Sequence, residues 1–154
     1  MNTYEVLLDE AYNKGLTVKE KPLQSSNGRI RGRKIAIRED IATNKEKACV
    51  LAEEIGHFHT GVGHIINQAD IGNCKEERKG RLWAYNDRIG LNGLISAYNY
   101  GCKSLYEIAD YLEVTEDFLE ECIDCYRDKY GVATTIDNYC IIFIPHLMVG
   151  KIVN

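Results

Sequence analysis

The chain lacks any apolar run long enough to cross a bilayer. The longest, Tyr139 to Gly150, is too short and is broken by Pro145. No apolar leader is expected either. The first residues, MNTYEVLLDEAY, are polar and acidic, which reads against a secretory signal. A cytoplasmic protein with no membrane partner is therefore expected. Excess positive charge is also lacking: 19 Lys and Arg stand against 23 Asp and Glu, for a net charge of −4. Direct nucleic-acid binding usually shows a basic face, so none is expected here. One local basic cluster exists at Arg29, Arg31, Arg33 and Lys34. Its neighbours alternate, and it reads as a solvated strand edge. No disordered composition, internal repeat or low-complexity linker interrupts the chain. Its 154 residues, 45% of them apolar, suit one domain with a real core.

Six cysteines are present: Cys49, Cys74, Cys102, Cys122, Cys125 and Cys140. In a cytosolic chain they are expected as reduced thiols. Cys122 and Cys125 form a C-x-x-C, a pattern used in redox and zinc chemistry. No second such pair accompanies it, and it lies within an acidic helical pattern rather than at a helix N-terminus. A buried or half-buried helical pair is the expected role.

The order of elements suggests an α+β domain. Tyr4 to Asn13 reads as a short amphipathic helix ended by Gly15. Leu16 to Lys19 and Arg29 to Arg38 read as two strands around a polar turn at Gln24 to Gly28. Thr43 and Glu46 form a capping-box signal for a helix carrying Ala48, Leu51, Ala52, Ile55 and Phe58, closed by Gly61 and Gly63. Asn73 to Glu76 is a second capping signal, for a helix to about Ile89. Gly90 and Gly93 mark a break before a short helix from Leu94 to Tyr100. Ser104 and Glu107 cap a helix to about Leu112, and Thr115 caps the last one, to about Tyr130. Tyr139 to Ile144 and Met148 to Val153 read as terminal strands. The expected layout is one domain over 1–154, with a core at 1–100, a helical hairpin at 101–131 and strands at 132–154. Ser104 to Tyr126 has a helix-turn-helix look. However, its second helix carries Glu116, Asp117, Glu120, Glu121 and Asp124, which would face phosphates, so a structural hairpin is favoured.

The chemistry concentrates in Glu53-Glu54-Ile55-Gly56-His57. In the H-E-x-x-H zinc motif, ligands four apart share one helix face, and the intervening Glu is the general base. Here Glu53 stands at the first ligand position, Glu54 at the base position and His57 at the second ligand position. Carboxylate oxygen is a competent zinc ligand. Glu53 and Glu54 lie among Leu51, Ala52 and Ile55, so at least one is expected to face the interior, where a carboxylate needs a partner or a metal. Gly56 sits mid-helix at a cost of about 1 kcal/mol relative to Ala, which a close neighbour would justify. On the next long helix, Glu77, Gly80 and Ala84 form a small-residue stripe. It is placed to pack on the first helix and bring Glu77 as a third ligand.

These segments resemble the ImmA/IrrE-type metallopeptidases, in a form common in phages and mobile elements. The resemblance rests on KACVLAEEIGHFHT (Lys47 to Thr60), GVGHI (Gly61 to Ile65), NCKEERKGRLWAY (Asn73 to Tyr85) and SLYEIADYLEVTEDFL (from Ser104). It implies a zincin-like domain, Glu54 as catalytic base, and His57 and Glu77 as ligands of zinc or another divalent ion such as manganese. It also implies a protein substrate, a helix-turn-helix repressor whose cleavage relieves repression. The departure is Glu53, where familiar members have His. A Glu2His site is harder than His2Glu and favours a different metal balance. His64, in the following turn, is the alternative ligand, with an exposed loop residue as the plainer reading. His59 lies on another helix face, and His146 follows Pro145; both read as exposed or packing residues. The rival function is a catalytically degenerate binding protein that captures a repressor without cutting it.

Overall fold

A computed structural model describes the backbone of residues 1–61 and 71–153, and the side chains of those residues outside 71–76. The architecture is mixed α+β, with six helices and two three-stranded sheets among the described residues. The chain gathers into two compact units, Met1–Ala84 and Tyr85–Asn154, whose boundary falls within the third helix. None of the described helices is long and apolar enough to cross a membrane.

The first unit begins with α1 (Thr3–Asn13). Asn2 caps it by accepting from the Glu5 N–H at 2.9 Å. Its apolar face buries Tyr4, Leu7 and Ala11. Gly15 then turns the chain at φ +79°. Three strands follow: β1 (Thr17–Lys21), β2 (Gly28–Arg31) and β3 (Lys34–Arg38). The sheet order is β1-β3-β2, with β1 parallel and β2 antiparallel to the central strand. Ile30, Ile35 and Ile37 are buried and share one face by the alternation of strands. The stretch Arg29 to Arg38 is thus two strands rather than the single one expected. Gly32, at φ +59°, makes the reversal that alternation alone does not reveal.

The site helix, α2 (Asn44–Thr60), packs on α1, β2 and β3. Thr43 caps it, accepting from the Glu46 N–H at 3.1 Å, and Gly61 closes it in the left-handed conformation at φ +77°. Ala48, Leu51, Ala52 and Ile55 are buried on its inner face. Next comes α3 (Ile71–Arg88). Asn73 therefore lies inside this helix and not at its cap. Gly63 and His64 lie outside the described residues.

In the second unit, α4 (Gly90–Tyr100) starts four residues before the expected Leu94. Gly90 turns the chain at φ +68°, but Gly93 stays helical. Glycine in a helix lowers stability without ending the helix. Then come α5 (Leu105–Leu112) and α6 (Glu116–Tyr130). Ser104 and Thr115 cap them by accepting from the Glu107 and Phe118 N–H groups, each at 3.1 Å. Glu113, at φ +58°, makes the turn between them. The carboxylates Glu116, Asp117, Glu120, Glu121 and Asp124 are all exposed. An antiparallel sheet of β4 (Ala133–Ile136), β5 (Tyr139–Ile142) and β6 (Met148–Lys151) closes the chain. β4 was not anticipated, and its partner β5 ends at Ile142 rather than Ile144. Leu119, Tyr126, Ile141 and Phe143 form this unit's core. The Tyr126 hydroxyl donates to Asn86 Oδ1 at 2.7 Å, satisfying the polar tip of a buried ring.

Candidate metal and catalytic site

Two side chains are the only buried members of the polar and charged classes among the described residues. They are Glu54, 7% exposed, and His57, 5% exposed. They stand one helical turn apart and so share a face of α2, while Leu51 and Ile55 are buried on its inner face. Glu53 is half-buried, one position round the helix.

Close packing brings α3 to this face. A Cβ on Gly56 would collide with the backbone carbonyl of Gly80, and a Cβ on Gly80 would collide with the His57 ring. The two glycines are the contact, which answers the mid-helix cost of Gly56. The crossing delivers Glu77, one turn before Gly80. Its Oε1 lies 3.2 Å from His57 Nε2 and 3.4 Å from Arg81 Nε. On the other side, Gly28 of β2 leaves room for Glu54. A Cβ there would lie 3.2 Å from Glu54 Cγ and 2.7 Å from Val50 Cγ1.

The electrostatics follow from burial and from three carboxylates around one imidazole. Burial pushes the Glu54 carboxyl up to about 7; nearby His57 pulls against this, while Glu53 and Glu77 add to it. Burial works to depress His57. The bond to Glu77 and the charges of Glu54 and Glu53 override it and raise the imidazole above its ordinary value. The same bond to His57 holds Glu77 below the usual carboxylate range, and Arg81 assists. His57 Nδ1 is buried with no hydrogen-bond partner among the described residues. This edge of the ring faces the Gly80 backbone.

The donor types suit a divalent ion: imidazole nitrogen and carboxylate oxygen. Their spacing suits one too. Two donors at zinc bond lengths and a tetrahedral angle stand about 3.3 Å apart, and Nε2 and Oε1 are 3.2 Å apart. A charge-assisted hydrogen bond is usually shorter, about 2.7–2.9 Å. However, no set of three His, Cys, Asp or Glu donors able to hold a metal gathers among the described residues. A metal-binding histidine also normally donates its second ring N–H, and Nδ1 has no acceptor among the described residues. The pair His57 and Glu77 fits a metal, then, and no third ligand is gathered with them among the described residues. Glu53 is in electrostatic reach of both Glu54 and His57.

Other expected residues fall elsewhere. His59 is exposed and stacks on Trp83 at 4.6 Å between ring centroids. His146 is exposed in the second unit, with Nδ1 at 3.3 Å from the Leu147 carbonyl oxygen. Cys122 is buried and Cys125 half-buried, neither in a disulfide, and burial pushes Cys122 up to about 12. That is the reverse of what an attacking or metal-binding thiolate needs. Two contributors were missed by sequence reasoning. Arg81 was legible, being four residues after Glu77 on one helix face. Gly28 was not, because nothing local says that a glycine at a strand's first residue will meet a carboxylate from α2.

Compared with protein-family models, curated proteins and solved structures, the chain gives no match.

Proposed function

We propose that the chain is a metal-dependent peptidase with a zincin-like first unit. The observation that carries this reading is the burial of Glu54 and His57. They are the two positions that the E-x-x-H half of the motif singles out, and Glu77 meets them from the next helix. A buried carboxylate beside a buried imidazole costs stability, and a fold keeps such a pair where chemistry uses it.

His57 and Glu77 are the residues that would hold a divalent cation, zinc or manganese, with Glu53 the third candidate on α2. When bound, the cation would supply Lewis-acid polarisation of the scissile carbonyl. Glu54 is the general base. With its carboxyl near 7 it takes a proton from the attacking water at neutral pH and can return it to the leaving amine. Arg81 Nε reaches the same Glu77 oxygen, Oε1, that faces His57, and so helps to hold the carboxylate there. Gly28 and Gly80 supply the room in which both side chains are held.

The resemblance to the ImmA/IrrE-type metallopeptidases extends the reading to a substrate. It would be a helix-turn-helix repressor of a phage or mobile element, cut in the cytoplasm to relieve repression. A second reading, a repressor-capturing protein without catalysis, is favoured by one observation. His57 and Glu77 already satisfy one another as an ion pair, with no third donor gathered among the described residues. Incubation of zinc- or manganese-loaded protein with the repressor of its own element separates the two. Cleavage is expected, and Glu54→Gln should slow it by about 100-fold or more while leaving repressor binding intact. Tight binding with no cleavage by the unaltered protein would decide for capture.

A further inference from the structure

The first unit turns one face of its sheet outward, opposite the buried Ile30, Ile35 and Ile37. Strand pairing sets Thr17, Lys34 and Arg31 in one row across the three strands, and Lys19, Ala36 and Arg29 in the next. Lys21 extends the β1 side. Lys19, Lys21, Arg29, Arg31 and Lys34 are all exposed. The one acid of these strands, Glu20, falls on the opposite face, where Lys47 holds it at 2.8 Å and the Tyr4 hydroxyl donates to it at 3.0 Å. Arg38 pairs with Asp40 and donates to two backbone carbonyls, so it is already engaged. Arg33 turns away, to the Lys14 carbonyl and the Phe58 ring. At the centre stands Ala36, short among long cations. The result is a hollow of about 260 Å³ with an alanine floor and basic walls.

Such a face is unfavourable alone. Arg31 lies directly opposite Lys34, and like charges so placed destabilise a sheet. A polyanion would relieve it. We propose that this face binds the phosphodiester backbone of double-stranded nucleic acid without reading its sequence. Phosphate binding is driven by counterion release and needs charge but no apolar anchor. The alternatives need features this face does not have. A single strand would want aromatic rings to stack its bases, a membrane would want bulky apolar side chains, and an acidic protein would want a buried anchor residue. The chain's net charge of −4 conceals the face because its acids lie elsewhere, as along α6. The proposal stands independently of the peptidase reading.

The test is fluorescence anisotropy with a labelled DNA duplex of about 20 base pairs across a salt series. Log affinity is expected to fall against log salt with a slope of about −3 to −4, for four or so phosphate contacts. The variant Arg29→Glu with Arg31→Glu should bind at least tenfold more weakly with a shallower slope. A charge-matched control, Lys129→Glu with Lys151→Glu, should retain most of the affinity. If the reversal unfolds the sheet, as a thermal melt would reveal, Lys19→Gln with Lys21→Gln carries the test, with a loss of threefold or more expected. No duplex binding at the lowest salt would overturn the proposal. So would an equal loss in the control, or tighter binding of poly-glutamate than of the duplex.

Discussion

Glu54 is a carboxyl held near 7 by burial, and this makes it a liability for folding in the absence of a cation. The folded protein keeps this proton up to about pH 7, while the unfolded chain releases it near 4.5. Between those values the folded state binds more protons, so stability falls as pH rises. His57 acts in the same direction. Its raised value gives stability that is full below 6.5 and is lost as pH climbs through the folded value. Glu77 acts oppositely. Its lowered value gives stability that is present above 4.5 and is lost as pH falls below it. Metal-free protein should therefore show its highest melting temperature near pH 4.5 and a decline from there toward pH 8. Glu54→Gln should flatten that decline, recovering on the order of 3 kcal/mol at most at pH 8. Thermal melts of both proteins across this range check it, and an unchanged slope in the variant would count against a protonated, buried Glu54. At the thiols, a native-state titration with a disulfide reagent is expected to modify Cys102, Cys125 and Cys140 while sparing Cys122 until the protein is unfolded.

At the scale of elements, the α2–α3 crossing decides the site. Helix propensity alone would favour alanine over glycine by about 1 kcal/mol. At Gly56 and Gly80 the sign should reverse, because the added methyl meets a backbone carbonyl or the His57 ring. Gly80→Ala is expected to lose about 1–3 kcal/mol or more and to part His57 from Glu77. Gly93→Ala is the internal comparison. Its methyl would meet Leu112 Cδ2 at an ordinary 3.4 Å, so a neutral or slightly stabilising effect is expected. Chemical denaturation of the two variants measures the contrast, and equal effects would contradict the close crossing. Much of this level was legible. Thr43, Ser104 and Thr115 announced three helix starts, because a cap is a local hydrogen bond that sequence can specify. Gly56 and the Glu77-Gly80-Ala84 stripe announced a close helix pair. The turn at Gly32 and the strand at Ala133–Ile136 were not legible, since pairing depends on residues distant in sequence. For the same reason Lys19 and Lys21 could not be assigned to the face of Arg29 and Arg31 before the register was known.

The whole molecule separates its chemistry by unit and by sign of charge. Unit Met1–Ala84 carries the buried acid–imidazole cluster and the basic sheet face. Unit Tyr85–Asn154 carries the acidic α6 and an apolar core built on Tyr126 and Phe143. If the basic face holds duplex and the cluster cuts protein, a substrate already bound to DNA would meet both in one unit. The cluster itself is the central claim, and its metal is the most direct handle on it. Elemental analysis of protein purified without chelator, then dialysed against zinc or manganese, measures that metal. One equivalent per chain is expected, retained in Glu54→Gln and lost in Glu77→Ala and His57→Ala. A wild-type chain that takes up no metal, or an equivalent that survives Glu77→Ala, would contradict the site as described.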